Sequence, residues 1–534
     1  MLAFRKSRIL LASIAFVVSP ANGSTQQRLQ EAEVLIGKER FPEAEALLSR
    51  AAAQAPSDAP VLYRLGYVQY RQRKLAAARK NFEAVVKLSP PALDSRYFLG
   101  RIALLEDNPK RAIEWLAPAA ESPQPVFDAA SQLAKAYAAV GDDEKAIAAL
   151  RTAVGQTPWD DALYYRMGQL RQKLGQRELA AEDFATSRRL KNLNREDVET
   201  LMQVSQALAS NETARAKQLG AKISLRPDAP PDTLVALGVL YGRTNLTGEA
   251  LECFETAARR DATLFQPQLN RGLALLKLGR PHESLPALER ARELLPQSVD
   301  ANVTLGLARV MAQNYREAIE PLSRAWEADP SNARVGLLLA TAHLRTGEPT
   351  KALSILSAAP QTEPATFFLG IEARNAAHDA EGALALAEQA VGRFPANPQA
   401  HLALGQQLAR LGRYQDARPS FEAVLRLVPH QPEAELGVAD CLQKAGEHSA
   451  ALSHYRAALA GPSTNLAATL GLARSLQALR QLDEATSTLE GALSRYPNDA
   501  TIRQELSRAY ARAGKSELAA EQARIAERIR AANP

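Results

Sequence analysis

Alanine recurs at one constant interval, at Ala44, Ala78, Ala112, Ala146 and Ala180, with Ala214 in step. After a two-residue slip the series resumes at Ala250, Ser284, Ala318 and Ala352. After a three-residue deletion it runs Ala383, Ala417, Ala451, Ala485 and Ala519. So short a period, kept over nearly a whole chain, dictates identical supersecondary units stacked in a row, because no single unit can bury an apolar face by itself. The fifteen positions therefore predict about fifteen units and leave no space for a second kind of domain.

Other residues keep fixed offsets from those alanines. Twelve before comes a small residue (Gly66, Gly100, Ala134, Gly168, Gly238, Gly272, Gly306, Gly405). Four after comes a large apolar one (Phe82, Leu116, Leu150, Phe184, Phe254, Leu322, Phe421, Tyr455), and twelve after a proline, as at Pro56, Pro90, Pro158 and Pro330. Small residues permit close helix approach, the large residue fills the space beside them, and proline stops a helix for want of an N–H. Glycines at Gly141, Gly175, Gly279, Gly347, Gly412, Gly446 and Gly514 supply the left-handed turn after the first helix. The chain is rich in Ala, Leu, Arg and Glu and only 5% aromatic, which favours helix.

This pattern resembles the tetratricopeptide repeat family. The resemblance implies an all-α, right-handed superhelical solenoid of about fifteen helix-turn-helix repeats that binds other proteins or peptide segments in a concave groove lined by the first helix of each repeat. The sixth repeat, Asn192 to Pro227, lacks the glycine and the large landmark. The eleventh, Gln361 to Pro395, is shifted by one within its first helix. They set soft boundaries, giving arrays over 24–191, 192–360 and 361–534, the last ending in a solvated capping helix.

Residues 1–23 have the parts of a cleavable export signal: Arg5, Lys6 and Arg8, then an apolar run Ile9 to Val18, then small residues at Ala21 and Gly23. The run is about half of the roughly 20 residues a spanning helix needs. The expectation is a periplasmic or secreted protein of bacterial type, with no stable membrane insertion after cleavage. Of the net charge of +6, those three basic residues account for half, leaving +3 dispersed over the remainder. No nucleic-acid partner is expected from so even a distribution.

Catalytic, cofactor and metal sites are each expected to be absent. The seven histidines form no helical pair with an intervening glutamate. The run Ala509 to Ser516 ends Gly514-Lys515-Ser516 like a phosphate-binding loop, yet Ala509 replaces the first glycine and an amphipathic helix precedes it where a strand is required. Cys253 and Cys441 are expected to be separate buried thiols.

In the family that the chain resembles, the second, fifth, ninth, twelfth and thirteenth repeat positions face the groove. They give an aromatic and basic patch (Tyr63, Tyr67, Tyr70, Arg71, Tyr97, Arg101, Lys135, Tyr165) and an apolar one (Leu269, Leu273, Leu276, Val303, Leu307, Val310, Met311). Tyrosine and arginine are enriched at binding hot spots. The Lys and Asn clamp by which some members grip a C-terminal carboxylate does not transfer, since Tyr63, Tyr67, Tyr97, Arg101, Ser131 and Lys135 stand at its positions. The sequence thus implies a non-catalytic scaffold or adaptor. Alternatives are a subunit of a bacterial envelope machine, such as polysaccharide export or outer-membrane assembly, and a carbohydrate-binding or enzyme-regulatory module. The oligomeric state is not encoded in the pattern.

Overall fold

A computed structural model describes residues 23–122, 126–460 and 465–532. Among these are thirty α-helices, numbered in chain order from α1 (Gly23–Gly37) to α30 (Ser516–Ala532), and no strand. They form fifteen helical hairpins, the number that the alanine series predicts. The expected leader lies outside the described residues except for Gly23, which opens α1. No helix among the described residues is long and apolar enough to cross a membrane.

Each hairpin is set by local chemistry. Some helix starts carry side-chain caps: the Asp58 carboxylate accepts from the backbone N–H of Val61 at 3.1 Å. The Asn332 amide oxygen accepts from the backbone N–H of Val335 in the same way. Pro60, Pro231, Pro281 and Pro398 occupy first-turn positions, where no backbone donor is missed. The turn inside every hairpin is left-handed. Seven of these turns use glycine; the other eight use Glu39, Arg73, Asp107, Asn211, Asn245, Gln313, His378 and Arg480 at φ between 55° and 63°. Gly514, the glycine of the apparent phosphate loop, is one of the seven, at φ 75°, after a helix spanning Ala500–Arg512.

The reason for the glycine landmark is specific. A Cβ on Gly168 would lie 2.7 Å from the Phe184 ring, and one on Gly238 or Gly405 2.6 or 2.8 Å from Phe254 or Phe421. The second helix thus inserts its large side chain against the bare backbone of the first. In repeats six and eleven the landmark positions themselves carry exchanged sizes at the same spacing, and in repeat eleven the glycine–large contact persists one residue earlier, a Cβ on Gly370 meeting Leu386 at 3.1 Å. Val204 on the first helix stands in sequence register with Gly220 on the second, and Ile371 with Ala387; Val204, Ile371 and Ala387 are all buried. The Tyr241 hydroxyl takes the space that a side chain at Gly220 would need and donates to the Ala216 carbonyl at 3.3 Å.

The sixth repeat also corrects the alanine series. Ala214 is exposed, while Ala216 is fully buried in α12 (Thr213–Ser224) and stands one full period before Ala250. The two extra residues lie in the preceding helix, α11 (Arg195–Ala209), which has 15 residues against the 13 of α9 (Asp161–Lys173). With neither a glycine nor a large residue to fix the phase, the sequence alone puts the slip one hairpin too late.

The chain forms two compact units, one ending at Ala301 and the other beginning at Asn302. Among the described residues of the first unit, apolar core clusters run from Ala32 to Leu190 and from Leu201 to Leu275, and Trp159 packs against the second. Helix α8 (Asp143–Gln156) also reaches past the sixth repeat to α13 (Pro231–Arg243): Arg243 Nη1 donates to the Gly155 carbonyl at 2.7 Å. Arg151 of α8 pairs with Asp300 at 2.9 Å. In the second unit the largest core cluster runs from Leu384 to Ala485. Cys253 and Cys441 are free and buried, and burial pushes their thiols up to about 12 and about 11.

Candidate protein-binding face

The aromatic and basic patch lies in the first unit on four first helices: α3 (Ala59–Arg71), α5 (Leu93–Leu105), α7 (Ala129–Ala139) and α9. The repeat positions of Tyr63, Tyr67 and Tyr97 imply exposure, yet all three are buried, at 5%, 7% and 4% exposure. Phe98 is the cause. Its ring lies 6.2, 5.7, 5.2 and 5.1 Å from those of Tyr63, Tyr67, Tyr70 and Tyr97, and it stacks on Phe82 at 5.1 Å. A ring from α5 thus covers the α3 tyrosines from one side, and offset or edge-on aromatic contacts of this kind hold them there.

What remains accessible is a rim. Tyr70 is half-buried and Arg71 exposed, its guanidinium 4.6 Å above the Phe41 ring and 3.5 Å from Glu39. Arg101 lies over the rings of Tyr70 and Tyr97, 5.6 Å from each, and donates to the Tyr97 hydroxyl at 3.0 Å. That hydroxyl donates to Asp128 at 2.6 Å. Burial and the Asp128 carboxylate hold the Tyr97 phenol well above its ordinary range.

Phe127 completes the rim. It is 41% exposed, its ring is 4.7 Å from Tyr97, and its backbone is left-handed at φ 50°. That conformation is uncommon for a bulky residue and is held only where the surroundings impose it. Beyond it stand Lys135, exposed, and Tyr165, 52% exposed and 5.5 Å from Phe184. Lys135 donates to Gln132 at 3.2 Å and Arg166 to Ser131 at 3.4 Å. Burial lowers the Lys135 ammonium, and Arg166 lowers it further. Arg101, Lys135 and Arg166 form no ion pair among the described residues, whereas most helices around them carry paired charges.

Only part of the apolar patch is accessible. Leu269 and Leu276 are buried in the core of the first unit and only Leu273 is exposed there, at 43%. Val303, Leu307 and Val310 are half-buried and Met311 is 46% exposed, all in the second unit.

Phe98, Phe127, Asp128 and Arg166 are the participants that sequence reasoning missed. Phe98 reads as core, and Phe127 lies in a connection with no periodicity. No group of three or more His, Cys, Asp or Glu among the described residues is placed to hold a metal ion.

No curated protein matches the sequence. Among solved structures, the chain resembles that of the APC/C hetero-tetramer Cut9–Hcn1, with 13% identity, a TM-score of 0.31 and coverage of 95% of this chain and 94% of that one. A tetratricopeptide repeat protein from Parabacteroides merdae is 9% identical at a TM-score of 0.36, covering 46% and 98%. MamA from Desulfovibrio magneticus is 19% identical at 0.29, covering 31% and 96%. A family profile described as tetratricopeptide repeat matches residues 29–92, 63–125, 235–299, 269–333, 372–432 and 402–465. A second profile of the same description matches 309–366 and 442–504. With more than half of its length matched and the repeat hairpins running on through the unmatched stretch, this chain belongs to the tetratricopeptide repeat family.

Proposed function

We propose that the chain is an exported, non-catalytic adaptor that captures an acidic, partly apolar segment of a partner protein on the first-helix face of α3, α5, α7 and α9. Binding of proteins or peptides is the general role of tetratricopeptide arrays, and the rim described above supplies the chemistry. The observation that carries the reading is that Phe127, exposed on a left-handed backbone, shares the Tyr97 ring with Arg101, and that Lys135 and Arg166 lie near Arg101, three cations free of ion pairs among the described residues around the hydrogen-bonded Asp128. An exposed ring flanked by cations suits a segment that alternates carboxylates with apolar side chains. Export rests on the basic, apolar and small-residue sequence of residues 1–23.

Affinity capture from the native compartment tests both parts. Partners should be held by the wild type and lost from Arg101→Glu/Lys135→Glu, with capture weakening as salt rises. Retention of every partner by the charge-reversed chain would count against this face, and recovery of the protein in the cytoplasm with residues 1–23 intact would count against export.

A further inference from the structure

The three-residue deletion before Ala383 shortens one helix. Helix α20 (Pro349–Ala358) has 10 residues, whereas the second helices before and after it, Tyr315–Ala328 and α22 (Ala380–Arg393), have 14. Where its last turn would lie is a cavity of about 70 Å3 bounded by α20, α22 and α21 (Pro364–Ala376). Leu353, Leu356, Phe367 and Leu386 supply apolar walls.

Four polar residues line the same space: Ser357, whose hydroxyl donates to the Ser354 carbonyl, Gln361, Thr366 and Arg374. Thr366 is 4% exposed and its hydroxyl has no hydrogen-bond partner; the Nε of Arg374 is buried and equally unpartnered. A helical threonine ordinarily bonds to a carbonyl four residues back. Thr366 is the third residue of α21, so the carbonyl four back precedes the helix. Arg374, a lining residue, is held through Nη1 by Asp379, which fixes the guanidinium and leaves Nε without an acceptor. The positive end of the α21 dipole lies alongside. Buried donors without acceptors are costly, and two of them belong to residues lining this one cavity.

We propose that this cavity binds a short-chain carboxylate: an anionic head that accepts from Thr366 and Arg374, on a stem of two or three carbons against the leucines and Phe367. The volume decides against a single water, which needs only about 10–15 Å3 measured in this way. The apolar walls decide against phosphate, which would lose its hydration for the few donors of Thr366, Arg374 and Gln361. The carboxylate is either a free small acid or a glutamate side chain presented by a peptide.

Saturation-transfer NMR on the full chain tests the site, with propionate and with an acetylated, amidated Ala-Glu-Ala tripeptide as probes. Wild type should bind propionate or the tripeptide at roughly millimolar strength, as so few atoms allow, and ethylamine not at all. Propionate alone assigns the site to a free acid; equal or tighter tripeptide binding assigns it to a side chain. Thr366→Val removes the hydroxyl, and Gly370→Ala places a methyl 3.1 Å from Leu386 and 4.0 Å from Leu356, inside the cavity. Both should weaken binding at least tenfold; Thr366→Val, which loses an unpartnered hydroxyl, should melt no lower than wild type, whereas Gly370→Ala makes Leu386 give way and is compared at a temperature where it is fully folded. Failure of both probes on the wild type, equal binding by all three proteins, or a cavity holding only water in crystals grown with propionate overturns the proposal.

Discussion

A Cβ on Gly168 would sit 2.7 Å from Cε1 of Phe184, so the glycine and the ring share one volume across the helical hairpin. The repeat signature is, at bottom, a rule about such pairs. Gly168→Ala should therefore destabilise by about 1–3 kcal/mol through overpacking, although alanine is the better helix former. Gly491, in a helix with nothing within 4 Å, is the control: Gly491→Ala should stabilise by about 0.5–1 kcal/mol. Chemical denaturation of the two variants should give opposite signs.

The exchanged pair in the eleventh repeat makes a second prediction. Ile371 and Ala387 belong to one buried cluster. Ile371→Gly leaves a cavity and Ala387→Leu overfills, so each alone is destabilising. The double variant restores the usual sizes, and the cycle should show a favourable coupling of about 0.5–3 kcal/mol. Strict additivity would mean that the two side chains do not share a volume.

Left-handed turns make a third. Arg480 holds φ at 60° where seven other repeats use glycine. A left-handed backbone costs a side chain such as arginine about 1–2 kcal/mol, partly offset by the greater chain entropy glycine has when unfolded. Arg480→Gly should raise the melting temperature, while Gly412→Arg should lower it.

Arg171 and Asp183 form a buried pair, with Nη1 donating to both carboxylate oxygens at 2.8 Å. Asp183→Ala strands the guanidinium and should cost about 3–5 kcal/mol. Arg171→Met/Asp183→Leu should cost far less, or stabilise. Burial pushes the Asp183 carboxyl from 3.8 up to about 7, against the pull of Arg171. An acid with a raised folded pKa binds more protons folded than unfolded between those values, so its contribution to stability falls as pH rises through that window. The apolar double variant lacks this slope, and its melting temperature should gain on wild type between pH 5 and pH 8.

The hairpin count, the seven glycine turns and the buried thiols are legible in the sequence because each follows from residue size or backbone freedom at a fixed offset, whereas the eight left-handed turns at residues with a side chain are not. Ala214 is misplaced because the sixth repeat exchanges the sizes of its landmark pair and so hides the phase. The burial of Tyr63, Tyr67 and Tyr97 is not legible either. It depends on Phe98 of one repeat reaching the first helix of another, a contact that the repeat period does not encode. Phe127 carries no periodic signal, and the cavity beside α20 arises from residues that are missing.

Hydrogen exchange of the chain with and without a captured partner tests the central claim most directly. The account predicts added protection in residues 59–71, 93–105, 129–139 and 161–173, strongest around Arg101 and Lys135. Protection confined to the second helices, 75–88, 109–120, 143–156 and 177–191, would contradict it.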